Sequence, residues 1–86
     1  MTADDIAERL RSALQPTVLD VQDDSHLHAG HAGAREGRHF SVRLTCPRFA
    51  GLARVARHRL VYDSLGPLAA LGVHALAIVA KAPGDH

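Results

Sequence analysis

Four of the seven histidines, His26, His28, His31 and His39, lie between Ser25 and Phe40, and a fifth, His74, heads the apolar run Ala75 to Ala80. Neutral imidazole is the commonest metal ligand, and it titrates near physiological pH. His26 and His28 are two apart and His28 and His31 three apart, in a stretch holding Gly30, Gly33 and Gly37. Such spacings can converge on one ion. The competing reading is a solvated loop that takes up stray zinc or nickel. His74 shares a face with Leu76 and Ile78 when counted by twos, at the rim of a buried surface. The same parity puts His39 with Ser41 and Arg43, opposite Phe40, Val42 and Leu44. Parity separates His39 from His74, whereas His31 has no such restriction, so His31 is favoured over His39 as the partner of His74.

Other residue types could also carry chemistry. Arg57-His58-Arg59 lies inside a helical segment, where neighbours point about 100° apart, so it is not one flat basic patch. It reads either as recognition of an anionic group, a thiolate-bearing partner or nucleic acid, or as one solvated charge, one face-lining histidine and one arginine paired elsewhere. Cys46 before Pro47 reads as a small hydrophobe, with no activating base nearby. Ser25-His26 lacks the third group and oxyanion hole of a hydrolase. Gly30-His31-Ala32-Gly33 spells a KH-type clamp, yet it lies between strands rather than between helices. No carboxylate stands at a recognisable spacing from the histidines.

Composition narrows the classes. Eighty-six residues make one domain, with its core over about 2–83 and only Phe40, Phe49 and Tyr62 as aromatics. A single cysteine excludes an internal disulfide, a four-cysteine zinc site and a self-contained thiolate iron–sulfur centre. The formal charge is +1, and protonating all seven histidines would make it +8 (1 + 7). At neutral pH this is not the strongly basic footprint of nonspecific DNA binding. Asp4, Asp5 and Glu8 argue against a targeting peptide, and no apolar stretch approaches the roughly 20 residues needed to span a bilayer. A cytoplasmic protein, monomeric or weakly homodimeric on its own, is expected.

The elements that must position these residues follow from periodicity. Thr2 caps a first helix with Asp4 and Asp5 in its first turn and an apolar stripe of Ile6, Leu10, Ala13 and Leu14. Pro16 stops it, because a residue before proline is pushed out of the α region. Val18–Asp23 predicts a strand, residues 24–38 a loop of functional length, and Phe40–Thr45 an alternating strand. Leu52–Leu65 predicts a second helix with Val55, His58, Tyr62 and Leu65 along one face. Gly66-Pro67 breaks it, and Pro67 starts a short third helix to Leu71. Val73–Lys81 predicts the last strand. The order α-β-β-α-α-β, with the first two strands as a hairpin, gives a two-layer α+β domain over a three-stranded sheet.

Several of these segments together resemble the BolA family. They are Asp23-Asp24-Ser25, His28-Ala29-Gly30-His31, His39-Phe40, Phe49-Ala50-Gly51, Arg57-His58-Arg59-Leu60-Val61-Tyr62 and Val73-His74-Ala75-Leu76. The likeness runs from the first helix to Pro83. It implies a class II KH-like fold of the order already read. It also implies a non-enzymatic adaptor in iron–sulfur cluster handling and iron homeostasis, sharing a [2Fe–2S] cluster with a monothiol glutaredoxin. That partner supplies its own cysteine and a glutathione thiolate. The BolA-like side supplies the histidine of the Val-His-Ala-Leu motif, here His74, and a ligand from the loop between the first two strands. With no cysteine in that loop, this chain resembles the histidine type, with His31 as loop ligand and His39 second. The family is also associated with stress response, cell morphology and transcription regulation, so a nucleic-acid-binding regulator is the alternative, with Arg57, His58 and Arg59 as contacts.

Overall fold

A computed structural model describes residues 2–24, 38–68 and 72–85; of Arg38 and His74 it describes the backbone only. Helix α1 spans Ala3–Leu14. Its first turn would leave amide groups without partners, and Thr2 and Asp5 satisfy two of them reciprocally. The Asp5 N–H donates to the Thr2 hydroxyl at 3.2 Å and the Thr2 N–H donates to the Asp5 carboxylate at 2.8 Å. That backbone donor, with the hydroxyl second, holds the Asp5 carboxyl below its ordinary pKa. Gln15 ends the helix in the left-handed region at φ 52°, and the following Pro16 keeps it out of the right-handed α region.

Strands β1 (Val18–Asp23) and β2 (Arg38–Thr45) pair antiparallel, from Val18 opposite Thr45 to Asp23 opposite Phe40. β3 (Val73–Lys81) joins the far side of β2 in parallel, so the sheet order is β1-β2-β3 and β3 is an edge. The polarity of β3 was not legible from its own residues. A single 3-10 turn, Pro47–Phe49, follows β2 and sinks Phe49 into the core, an anchor that strand and helix periodicity did not reveal. Ile6, Leu10 and Leu14 of α1 pack with Phe40, Val42, Leu44, Phe49, Val61 and Leu65, while Leu19, Val21, Leu76 and Ile78 close the sides. Exposed Val18, Arg43 and Val79 mark the other, open face of the sheet.

Helix α2 is shorter and differently rotated than expected. It spans Arg54–Leu65, because Leu52 belongs to the turn before it, its N–H donating to the Phe49 carbonyl at 3.0 Å. Val55 and Tyr62 are 67 % and 40 % exposed, whereas Val61 is 0 % exposed. The buried stripe therefore runs Arg57-Val61-Leu65, at intervals of four, and not through Val55, His58 and Tyr62. An arginine at the first position of that stripe hid it from a search for apolar periodicity. Gly66 breaks the helix at φ 83° and ψ −165°, a conformation essentially restricted to glycine. Of the short third helix expected over 67–71, residues 69–71 lie outside those described; Pro67 is irregular and Leu68 is in a turn. Among the described residues the order is α-β-β-α-β.

Candidate functional site

Two of the candidates, His39 and the backbone of His74, stand where β2 and β3 begin side by side. Arg38 pairs with Val73 and His39 with Ala75, a register shift that leaves His74 as the extra residue of a bulge. The phase of β3 slips there. Val73 is buried and Ala75 exposed, although a regular strand would place both on one face. Alternation does not carry through this point, so counting by twos from Leu76 does not orient His74, whose side chain lies outside those described. His26, His28 and His31 also lie outside the described residues.

The ends of the intervening segment are nevertheless fixed. Asp24 leaves β1 with its N–H donating to the His39 carbonyl at 2.8 Å, and its carboxylate accepts from the Ser41 hydroxyl. Arg38 re-enters beside Val73. Both ends of the segment therefore stand at the end of the sheet that carries His74. Seven residues separate His31 from Arg38, a covalent tether of at most about 24 Å, against an interstrand spacing of about 5 Å. His39 is half-buried with its Nε2 out of solvent. Ligation through that atom would need the side chain to turn outward.

Besides the histidines, this end of the sheet carries the carboxylates of Asp23 and Asp24, the latter accepting from Ser41. Cys46 lies past the opposite end of β2, 0 % exposed, with its thiol donating to the Leu14 carbonyl at 3.1 Å. A thiolate from that position would have to leave the core. Among the described residues, no three His, Cys, Asp or Glu side chains come together to hold a metal ion.

The Arg57-His58-Arg59 run separates into three roles. The Arg57 guanidinium is only 17 % exposed and points inward. Its Nε donates to the Leu52 carbonyl at 2.8 Å, and its Nη1 donates to the Ala80 carbonyl at 3.1 Å and the Asp85 carboxylate at 2.7 Å. Asp85 also accepts from the Ala82 N–H at 2.9 Å. The guanidinium first, and that N–H second, hold the Asp85 carboxyl below its ordinary range. One arginine thus ties α2, the preceding turn, the end of β3 and the last turn together. His58 is half-buried and Arg59 exposed, beside Val55 and Tyr62. Arg54 and Lys81, passed over in the sequence, join His58 along an open groove between α2 and β3. Fold contacts alone bring these two residues, far apart in the chain, together.

A protein-family model described as BolA-like protein matches residues 10–85. The SufE-like protein 1, chloroplastic/mitochondrial, of Arabidopsis thaliana is 44 % identical over 93 % of this chain, which spans only 23 % of that protein's length. The DNA-binding transcriptional regulator BolA of Escherichia coli is 41 % identical, over 91 % of this chain and 72 % of its own. Among solved structures, the BolA domain of SufE1 from Arabidopsis thaliana superposes with a TM-score of 0.83 at 44 % identity, covering 98 % of this chain and 94 % of that one. No described helix is long and apolar enough to cross a membrane.

Proposed function

This chain belongs to the BolA-like family of non-enzymatic proteins, and from that premise we propose that it is an adaptor in iron–sulfur cluster trafficking and iron homeostasis. It offers two imidazoles, His74 and His31, to a [2Fe–2S] cluster whose remaining ligands come from a monothiol glutaredoxin and its glutathione. The observation that carries the reading is the bulge. The extra residue of β3 is a histidine, and the root of the histidine-bearing segment stands beside it.

The division of labour is physical. His74, the bulge residue of β3, would give one ligand from the sheet. His31 would give the other from the segment that joins β1 to β2. His39 ranks behind it because its Nε2 is out of solvent. Two imidazoles cannot close a cluster site alone, so the partner is an obligatory part of it. When bound, the cluster would carry less negative charge than one held wholly by thiolates, which raises its reduction potential. Both imidazoles must be neutral to bind, so acidification loosens the shared cargo.

The test mixes the chain with a monothiol glutaredoxin, reconstitutes the cluster, and compares visible spectra for the wild type, His31→Ala, His39→Ala and His74→Ala. His74→Ala and His31→Ala are expected to change the heterodimer's spectrum and His39→Ala to change it less. Identical spectra for all three would remove the ligand assignment.

A second reading, a nucleic-acid-binding regulator of stress response and morphology, draws on the name of the Escherichia coli relative. The contacts would be His58 and Arg59, because Arg57 is committed within the chain. A net charge of +1 weighs against it. Steeply salt-dependent DNA binding, lost in Arg59→Ala, would favour it over the adaptor.

A further inference from the structure

We propose that the outer edge of β3 and the groove beside it dock an extended, acidic segment of a partner protein as an added strand. The backbone comes first. The Cys46 N–H donates to the Lys81 carbonyl at 2.9 Å, so the peptide groups of Lys81 face β2. Successive residues of a strand turn their peptide groups to opposite sides. Those of Leu76, Ile78 and Ala80 therefore face out from the sheet. Among the described residues, the Ala80 carbonyl alone of these groups is engaged within the chain, by Arg57. Edges are usually blunted with charges or proline, and residues 75–80 carry neither.

The groove beside this edge is already shaped. It is about 500 Å³, floored by Leu52, Ile78 and Ala80 and rimmed by Arg54, His58 and Lys81. Its one carboxylate, Asp85, is taken by Arg57 and the Ala82 N–H. Among the described residues, Arg54 and Lys81 on the rim thus have no counter-charge, next to unused strand hydrogen bonds and an apolar floor. An extended peptide meets all three at once: main-chain N–H and C=O for the edge, alternate apolar side chains for the floor, and carboxylates for Arg54 and Lys81. A nucleic acid satisfies the charges but not the backbone pattern. Lys81 lies seven residues from His74, about 23 Å along the strand. The charged end of the groove is therefore separate from the imidazole site, while the edge it continues reaches Leu76, two residues from His74.

The probe is a fluorescein-labelled peptide, Glu-Val-Glu-Val-Thr-Val-Glu, titrated with the full chain at low ionic strength and followed by anisotropy. Arg54→Glu/Lys81→Glu, two exposed positions, is expected to weaken binding by at least tenfold while keeping the wild-type melting curve. The same peptide with lysine for glutamate is expected to prefer the double variant. Saturating acidic peptide is expected to slow hydrogen exchange at the amides of Leu76, Ile78 and Ala80. Three results would overturn the proposal: equal affinity for the double variant, unchanged exchange at those amides, or binding of a single-stranded oligonucleotide but not of the peptide.

Discussion

Replacing Arg57 with methionine separates a structural arginine from a contact arginine. Methionine keeps the apolar stem on the stripe with Val61 and Leu65 but removes the guanidinium. Two carbonyls, Leu52 and Ala80, then lose donors at 2.8 and 3.1 Å. Both border an open groove, so water can replace part of the loss. Each bond then contributes about 1–1.5 kcal/mol, below the roughly 1.5–3 kcal/mol of a bond to a charged group that water cannot replace. The pair with Asp85 is left out of this sum, because that carboxylate is exposed and screened and its contribution is small. The expected loss is about 2–3 kcal/mol, a large share of the roughly 5–15 kcal/mol that holds a domain together. At roughly 4–8 °C per kcal/mol for a chain of this size, Tm falls by about 10–20 °C. Thermal unfolding followed by circular dichroism at neutral pH reads this directly. Arg59→Met, at an exposed neighbouring position, is the control and should stay within about 0.5 kcal/mol of wild type. A Tm for Arg57→Met within about 3 °C of wild type, or an equal fall for Arg59→Met, would refute the clip.

Gly66→Ala forces a side chain into a region reserved for glycine and should cost about 1–3 kcal/mol, read as a lowered Tm with an unchanged native spectrum. The folded pKa values of Asp5 and Asp85 are depressed below 3.8. Their stabilisation is therefore complete above that value and lost as pH falls through the lower folded values. The Tm gap between wild type and Asp85→Asn should be constant above about pH 5 and shrink below pH 3.8; a gap unchanged down to pH 2 would contradict the assignment. Cys46 is sealed in the core, so labelling by a thiol-disulfide reagent must wait for unfolding. Native labelling should run at least about a thousandfold slower than in denaturant, and a rate near the denatured one would mean that the core opens locally.

Much of the fold was readable in short stretches. Thr2 with Asp5, the stripe through Ile6, Leu10 and Leu14, and Pro16 specify α1 from its own residues. The alternation of Phe40, Val42 and Leu44 specifies β2, and the run from Val73 to Lys81 gives β3 its bounds. These signals are local, since caps, periods of 3.6 and 2, and prolines act within a few residues. The face of α2 was misread because its buried stripe starts with Arg57, which is apolar along its stem and satisfied at its head only by groups from other elements. Residue type marks the imidazoles as candidate ligands. The register alone sets the backbone of His74 beside that of His39.

What the chain determined by itself is which groups are available: imidazoles in a glycine-containing segment, one more at the head of a strand, and a lone thiol beside a proline. What the tertiary structure alone decided is where they stand. The parallel pairing of β3 with β2 sets the root of that segment beside His74, inserts the bulge there, and sends Cys46 into the core at the other end. Strand polarity, a one-residue slip and the Arg57 clip arise from contacts between residues dozens of positions apart. Their free energy exists only when both partners are in place, so no local pattern records them.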